Sequence, residues 1–139
     1  MCNSFKQELL GGVHDLDTHT LKIALIKPSP TGNFGAATTN YSELTGSSDE
    51  ATGTNYSAGG QALDSATITL SGTTAFVDFA DEVFSNLTIT AAGALLYNTS
   101  ASNKAIAVFS FGSNVASTAG DFTVIFPTAD ASNAVIRIT

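Results

Sequence analysis

From Gln61 onward, the sequence consists of short segments of alternating apolar and polar residues that recur about every ten residues. Turn-forming residues separate the segments, as is typical of antiparallel strands joined by short connections. The segments read ALDSATITL, TTAFVDF, NLTIT, GALLYN, AIAVFSF, DFTVIFP and AVIRIT. The sequence has no internal repeat and no regular exchange of helices with strands, which excludes solenoids and βαβ folds. An all-β fold, an antiparallel β-sandwich of jelly-roll type, is therefore predicted.

The alternation also predicts which residues form the core of this sandwich. In SATITL, Ile68 and Leu70 share one face of the strand, whereas Ser65 and Thr67 share the other. AIAVFSF carries apolar residues on both faces, which predicts a central strand that is covered on both sides. The apolar residues assigned to the core are Ile68, Val77, Phe79, Val108 and Val124.

The first residues follow a helical rather than an alternating pattern. Ser4 and Gln7 have the spacing of a capping box, and Gly11 follows two leucines as a helix stop. We therefore expect a helix of about two turns within an N-terminal arm of residues 1–19. The next segment, TLKIALI, alternates and predicts the first strand.

The stretch between this strand and Gln61 shows neither pattern. Residues 27–60 are rich in Pro, Gly, Ser, Thr and Asn, and they predict a long loop region with one short strand around Tyr41. Loops of this length in small domains often carry an interaction role. No linker divides the chain, so residues 1–139 are expected to form a single β-sandwich domain.

Charge limits the partners of such a domain. The net charge is −7, and the five Lys and Arg residues are scattered along the chain. Because an acidic chain without a basic cluster repels phosphate backbones and anionic lipids, we expect neither a nucleic acid nor a membrane as partner. Only 12% of the residues are charged, about half the usual share. A surface with so few strongly hydrated groups suits packing against another protein.

The sequence carries no sign of export. Cys2 is the single cysteine, so an internal disulfide is excluded. Neither a basic and apolar leader nor a run of about 18 apolar residues is present. We therefore expect the chain to fold in a reducing cytoplasm.

The densest group of potential metal ligands is the segment HDLDTH, which contains His14, Asp15, Asp17 and His19. On an extended backbone, Asp15, Asp17 and His19 share a face and offer oxygen and imidazole ligands to a divalent metal. The same residues also fit a polar connection between the helix and the first strand, and isolated short motifs are weak indicators of a site. We predict no metal and no other cofactor.

Catalytic patterns in the sequence are incomplete. Both histidines lie in that one segment, and no G-x-S-x-G elbow is present. Asp81 and Glu82 are interpreted as a solvated turn rather than as the acid and base of a glycosidase. The glycine-rich piece SAGGQ lacks the lysine of a phosphate-binding loop. We predict no catalytic residues and no enzymatic activity.

Apolar residues outside the predicted core are candidates for contacts with a partner. Phe76 alternates onto the same side as Asp78, which leaves two interpretations: an exposed anchor for a partner, or a ring that a loop covers at the rim. The short helix must dock its apolar side on the domain or on a neighbour. The candidate interface residues are Phe5, Leu9, Leu10, Tyr41, Tyr56 and Phe76.

Three segments of the chain resemble a small family of virion proteins from tailed bacteriophages. They are NSFKQELLGGVHD, SGTTAFVDFADEVFSNLTITAAGALLYN and GDFTVIFPTADASNAVIRI. The likeness extends over nearly the whole chain except the part between about residues 27 and 56. It rests on core and turn residues rather than on a catalytic motif, and no contact residues transfer from the family to this sequence.

The resemblance implies a cement or decoration protein of jelly-roll type. Such a protein lies on the outer surface of the capsid, binds the major capsid protein and ties neighbouring capsomers together, often as a dimer. The location that follows is the virion, after assembly in the host cytoplasm. A tail, fibre or host-recognition module of a phage is the alternative, and a free carbohydrate-binding domain is a third class.

Overall fold

The computed structural model describes residues 1–64 and 66–139. In these ranges the helices are α1 (Asn3–Leu10) and α2 (Ser42–Gly46), and one 3-10 turn spans Thr99–Ala101. The strands are β1 (Leu21–Ile26), β2 (Gln61–Ala62), β3 (Thr67–Ser71), β4 (Thr74–Asp78), β5 (Glu82–Asn98), β6 (Lys104–Val124) and β7 (Ile136–Ile138). Neither helix in the described ranges is long and apolar enough to cross a membrane.

The strands form two antiparallel sheets. The larger sheet has the strand order β2-β1-β5-β6, and the smaller sheet has the order β3-β4-β7. Apolar residues from both sheets and from α1 pack into a shared core, to which Phe5, Ile23 and Val77 belong. The predicted all-β sandwich with a short N-terminal helix is therefore confirmed.

The long hairpin of β5 and β6 dominates the larger sheet. The two strands have 17 and 21 residues, and their register shifts at several bulges, one of them between Ala91 and Gly93. A bulge bends a strand and increases its twist, so the hairpin is curved rather than flat. At Gly93 a Cβ atom would lie 2.4 Å from the carbonyl oxygen of Phe109, so the close approach of β5 and β6 requires a glycine there.

β1 is confirmed as a strand and lies inside the larger sheet. It pairs with β5 from Leu21 to Ile26, and all of its residues except Lys22 are buried. A strand that is covered on both faces needs apolar residues at consecutive positions, and Ala24 and Leu25 supply them.

α1 ends as predicted but begins differently. Gly11 is the C-cap, and its N–H donates to the carbonyl oxygen of Gln7. The N-cap is Cys2, whose own N–H donates to the carbonyl oxygen of Ile106 at 2.8 Å. Because this bond to β6 fixes where the helix starts, Ser4 lies inside the helix and the predicted capping box is wrong. The buried hydroxyl of Ser4 has no hydrogen-bond partner in the described part of the chain.

The prediction that AIAVFSF is a central strand is wrong. This segment begins β6, which lies at the edge of the larger sheet. Phe109 packs against Phe126 with ring centroids 6.2 Å apart, and Phe111 packs against Phe122 at 6.0 Å. Both partner rings come from the end of β6 or just beyond it. The phenylalanines are therefore covered by the far end of their own strand, and no second neighbouring strand is needed to cover them.

The predicted core is correct in both sheets except at β3. The buried members are Val77, Phe79 and Val124, and Val108 is half-buried against the core. Ile68 is 56% exposed, so its assignment to the core is wrong. Every residue of β3 is exposed because β3 is an edge strand that the other elements do not cover. Ser65, predicted to face away from Ile68, lies outside the described residues.

The loop region of residues 27–60 contains a helical turn instead of the predicted short strand. Tyr41 is the N-cap of α2, and the preceding residue, Asn40, forms an isolated bridge with Lys104 of β6. The other isolated bridges of this region lie farther along, at Glu50 and Thr54. The side-chain oxygen of Asn40 accepts from the Ser42 N–H at 2.9 Å. Asparagine favours this local turn over an extended backbone, which explains the error.

Candidate functional site

The buried amide of Asn98 brings the two histidines together. Its nitrogen donates to Nδ1 of His14 at 3.1 Å and to Nδ1 of His19 at 3.0 Å. Its oxygen accepts from the Ala101 N–H at 3.2 Å. Nε2 of His14 in turn donates to Oε2 of Glu8 at 3.0 Å. These bonds fasten the N-terminal arm to the connection between β5 and β6.

Glu8 links the same group of side chains to β6. Its second carboxylate oxygen accepts from Nζ of Lys104 at 2.5 Å. Burial opposes ionisation of this carboxyl group, but the hydrogen bonds from Lys104 and His14 outweigh burial and hold the pKa of Glu8 below its ordinary value. Glu8 is therefore an ionised structural group whose two oxygens are both engaged.

The segment HDLDTH folds back on its own backbone. Oδ1 of Asp15 accepts from the N–H groups of Asp17 and Thr18, each at 3.1 Å. Hydrogen bonds from Thr18 and Asp17 hold the pKa of Asp15 below its ordinary value. Across residues 1–64 and 66–139, no three His, Cys, Asp or Glu side chains are placed to hold a metal ion. The arrangement corresponds to the polar connection between α1 and β1.

Asp81 and Glu82 connect the start of β5 to the end of β6. Oδ1 of Asp81 accepts from the Phe126 N–H at 2.8 Å. Glu82 is the first residue of β5 and is half-buried, so the predicted solvated turn is wrong at this position. Burial raises the pKa of Glu82, and the charge of Asp64 adds to that effect.

The three tyrosines of the chain converge on Glu50 and Gly59. The hydroxyl groups of Tyr41 and Tyr56 donate to the Glu50 carboxylate at 2.5 and 2.8 Å, and the Gly59 N–H donates to it at 2.6 Å. The Tyr97 hydroxyl donates to the carbonyl oxygen of Gly59 at 2.7 Å. The rings of Tyr41 and Tyr97 are stacked with centroids 4.5 Å apart. We call these five residues the tyrosine cluster.

The tyrosine cluster is built to keep its hydroxyl groups protonated. Burial raises the pKa of Tyr97 to about 12, and the charge of Glu50 adds to the effect. Burial and the Glu50 charge also raise the pKa values of Tyr41 and Tyr56. A protonated hydroxyl is a donor, and Glu50 needs donors. The cluster therefore anchors residues 41–60 to the larger sheet.

A second carboxylate, the fully buried Asp49, anchors the beginning of the loop region. Asp49 accepts from the N–H groups of Thr31 and Gly32 at 2.9 and 2.7 Å, and from Nζ of Lys27 at 2.8 Å. Burial alone would raise the pKa of Asp49, but the hydrogen bonds from Lys27, Thr31 and Gly32 outweigh it and hold that pKa well below its ordinary value. Asp49 thus anchors the first part of the loop region, and the tyrosine cluster anchors its second part.

The candidate interface residues lie in three different environments. Phe5 and Phe76 are buried, at 0% and 6% exposure, so the interpretation of Phe76 as a covered ring is the one that fits. Tyr41 and Tyr56 belong to the tyrosine cluster. Leu9 and Leu10 lie on α1, where Leu9 is half-buried and Leu10 is 90% exposed. Within the candidate set, Leu9 and Leu10 line an open surface, and Phe76 lines the cavity beside it.

This open surface is an apolar groove between α1 and β7. The residues that line it are Met1, Lys6, Leu9, Leu10, Arg137 and Ile138. Leu9 and Ile138 also line an adjoining cavity of about 420 Å³, which lies over the smaller sheet and includes Ile68 and Val77. We call the two together the α1–β7 groove.

One face of the smaller sheet forms the floor of the α1–β7 groove. Leu70 pairs with Ala75, which pairs with Ile138, and all three side chains share this face. Leu70 is 72% exposed and Ile138 is 54% exposed. Ile136, which lies two residues before Ile138 on β7 and on the same face, is only 2% exposed. The face is therefore covered by the chain's own elements on one side and open on the other.

Sequence reasoning missed most of these features. Alternation places Leu70 on the same face as Ile68, which was assigned to the core, but alternation identifies a face and not whether other elements cover it. The tyrosine cluster joins residues that are up to 56 positions apart, from Tyr41 to Tyr97, so no local pattern signals it. Asn98 is an isolated asparagine at a strand end, which ordinarily predicts a turn.

Comparisons with known proteins add no relative. No family model matches the chain, and no curated protein and no solved structure gives a significant match. The resemblance to virion proteins of tailed phages consequently rests on the three sequence segments that carry it.

Proposed function

We propose that this chain is a non-enzymatic structural protein of a virus particle, a cement protein on the outer surface of a tailed-phage capsid. In this role it binds the major capsid protein and ties neighbouring capsomers together. The proposal joins the resemblance of the sequence to a physical property of the fold, the open apolar surface along the smaller sheet.

The observation that carries the proposal is the exposure of large apolar side chains on that one surface. Leu10, Leu70 and Ile138 are 90%, 72% and 54% exposed. Burying a leucine or isoleucine side chain fully contributes about 1.5–3 kcal/mol, so a partner gains substantially by covering them. Contiguous apolar surface of this kind marks interaction sites on soluble proteins.

The engagement of His14 and Cys2 supports a role without catalysis. His14 donates to Glu8 and accepts from Asn98, so both ring nitrogens are occupied within the fold. The thiol of Cys2 is buried and donates to the Gly35 carbonyl oxygen at 3.7 Å. A general base or nucleophile must reach a substrate, and these groups are held inside the structure.

The low charge of the surface suits repeated weak contacts on a shell. Only 12% of residues are charged, so few ions must be desolvated when the protein docks. On a capsid, many symmetry-related contacts act together, and each single contact needs only modest affinity. A dimeric protein would double the number of contacts per molecule.

Binding to separated phage parts tests this proposal. Heads that lack the protein and isolated tails are incubated with the purified chain, and the bound copies are counted by quantitative gel analysis and electron microscopy. Binding in many copies to heads, with increased heat resistance of the shell, is the expected result. Binding to tails alone would favour the tail, fibre or host-recognition alternative. Binding to neither would contradict a virion role.

A further inference from the structure

We infer that the α1–β7 groove binds an apolar segment of a neighbouring protein that also carries acidic residues. The assignment of that neighbour to a capsid subunit rests on the proposed function. The chemistry of the segment follows from the apolar floor of the groove and the two cations beside it.

The floor of the groove selects apolar side chains. Leu9 and Ile138 line both parts of the groove, and Leu10 projects beside them with 90% exposure. Ile68 and Leu70 extend the same apolar surface across β3. An incoming segment therefore needs apolar side chains along one side to displace water from this floor.

The charged side chains that line the part of the groove between α1 and β7 are both cations, Lys6 and Arg137, whereas Asp15 lines the adjoining cavity. Of the five cations, Lys27 pairs with Asp49 at 2.8 Å and Lys104 pairs with Glu8 at 2.5 Å. Lys22 lies on β1 and does not line the groove. Lys6 and Arg137 are exposed at the groove, and neither forms an ion pair among the described residues.

These two cations make only partial use of their donors within the chain. Nζ of Lys6 lies 3.3 Å from Oδ1 of Asn3, and Nη1 of Arg137 donates to the Ala131 carbonyl oxygen at 3.2 Å. The remaining guanidinium donors of Arg137 can form a paired hydrogen bond with one carboxylate. Two cations at the groove of a chain with net charge −7 therefore favour an acidic partner segment.

A second copy of the chain and a membrane both fit the groove less well. A twofold contact places the same patch on both subunits, so Lys6 and Arg137 of one copy would face the same cations of the other. Repulsion between like charges opposes that contact. Anionic membranes bind clusters of four or more cations, and two cations on an acidic chain supply too little attraction.

The first test uses model peptides and does not depend on the proposed function. An alternating Leu/Glu peptide and the matching Leu/Lys peptide are titrated into the isotope-labelled full chain, and the methyl resonances are followed by NMR. We expect the Leu/Glu peptide to shift the resonances of Leu9, Leu10 and Ile138, and the Leu/Lys peptide to bind at least about fivefold more weakly. Equal binding of both peptides, or shifts confined to other surfaces, would overturn the inference.

The second test asks whether the groove is used on particles. Leu10→Ser and Arg137→Gln are compared with Ile125→Ser and Asn114→Asp, which make the same changes in polarity and charge at exposed positions outside the groove. Both groove variants should bind heads at least about fivefold more weakly, whereas the controls should bind like the wild type. Unchanged circular dichroism establishes that all four are folded.

The outcomes separate the inference from the proposed function. Wild-type binding of heads by both groove variants would overturn the use of the groove while leaving the cement role intact. Failure of the wild type to bind any particle would overturn the cement role, and the peptide titration would still decide the chemistry of the groove. Self-association or binding to phosphatidylglycerol vesicles that Leu10→Ser abolishes would replace the inferred occupant by a second copy or a membrane.

Discussion

The loop region of residues 27–60 is held more firmly, and the smaller sheet is covered less completely, than their sequences suggest. The loop region consists largely of turn residues, yet two carboxylates, the buried Asp49 and the half-buried Glu50, tie it to the core. The smaller sheet has regular alternating strands, yet Leu70 and Ile138 on its apolar face are more exposed than not. A regular sequence pattern therefore does not show whether a segment's apolar and polar groups all find partners within the chain.

The two regions differ because the loop region lacks apolar area and the smaller sheet lacks a complete covering layer. A polar loop lacks apolar area, but charged and polar side chains can order it when every buried donor finds an acceptor. The backbone groups of a sheet are paired between strands, but the apolar side chains on its face still need a second layer to cover them. In this chain the covering layer ends before β3 and the end of β7, and the remaining face is available to a partner.

The largest expected effect comes from the covered side of the smaller sheet. Ile136 is 2% exposed, so Ile136→Ala removes buried methyl and methylene groups and leaves a cavity. The free energy of unfolding should fall by about 2 to 5 kcal/mol, measured by urea denaturation. A loss below about 1 kcal/mol would mean that this side of the sheet is not a packed core.

Glu50→Ala tests whether the tyrosine cluster holds the loop region. The change removes the acceptor for Tyr41, Tyr56 and Gly59. Each buried donor left without a partner costs about 1–3 kcal/mol, and the partial exposure of the two tyrosines reduces the sum, so we expect a loss of about 2 to 3 kcal/mol. Asp17→Ala, which removes an exposed carboxylate that accepts no hydrogen bond among the described residues, serves as control and should cost under about 0.5 kcal/mol. Equal losses of unfolding free energy in the two variants would mean that the cluster does not hold the loop region.

Alkaline pH should release the same cluster. The folded-state pKa values of the tyrosines lie above the ordinary value of about 10, that of Tyr97 at about 12. A raised pKa contributes stability that is complete below the unfolded-state pKa and is lost as the pH rises through the folded-state value. Stability should therefore decline from about pH 10 to 12. Because all three tyrosines lie in the cluster and the chain has no Trp, tyrosinate absorbance reports on it directly. Ionisation near pH 10 in a chain that remains folded would contradict this behaviour.

The smallest expected effect comes from the open side of the smaller sheet. Ile138 lies on the same strand and face as Ile136 but is 54% exposed. Ile138→Ala should change the free energy of unfolding of the isolated chain by no more than about 0.5 kcal/mol. A cost near that of Ile136→Ala would show that the face is covered along its whole length.

The sequence could predict the fold to the extent that local patterns control it. TLKIALI and TTAFVDF became β1 and β4 because alternation and β-branched residues specify an extended strand. AIAVFSF was assigned correctly as a strand and wrongly as a central one, since Phe109 and Phe111 pack against rings from the end of β6 and beyond. Position within a sheet depends on contacts distant in sequence, which periodicity does not contain.

The candidate surface could be predicted in part. Leu9 and Leu10 follow from the short helix, whose apolar side exceeds what a two-turn helix can bury by itself. Phe5 and Phe76 are absorbed by the fold, and Tyr41 and Tyr56 are absorbed by the tyrosine cluster. Ile138 and Leu70 could not be found because their exposure depends on where the opposing layer ends.

Site-specific labelling with a maleimide tests the central claim that the smaller sheet presents its open face to a partner. The single native cysteine, Cys2, is buried, and burial raises the pKa of its thiol, so background labelling is low. Leu70→Cys and the control Ile125→Cys introduce thiols at positions of 72% and 75% exposure.

In the free chain, both introduced thiols should react rapidly. On decorated heads, Leu70→Cys should become strongly protected while Ile125→Cys keeps its reactivity. Slow labelling of Leu70→Cys in the free chain would contradict the open face, and unchanged labelling on heads together with protection of Ile125→Cys would assign the contact to a different surface.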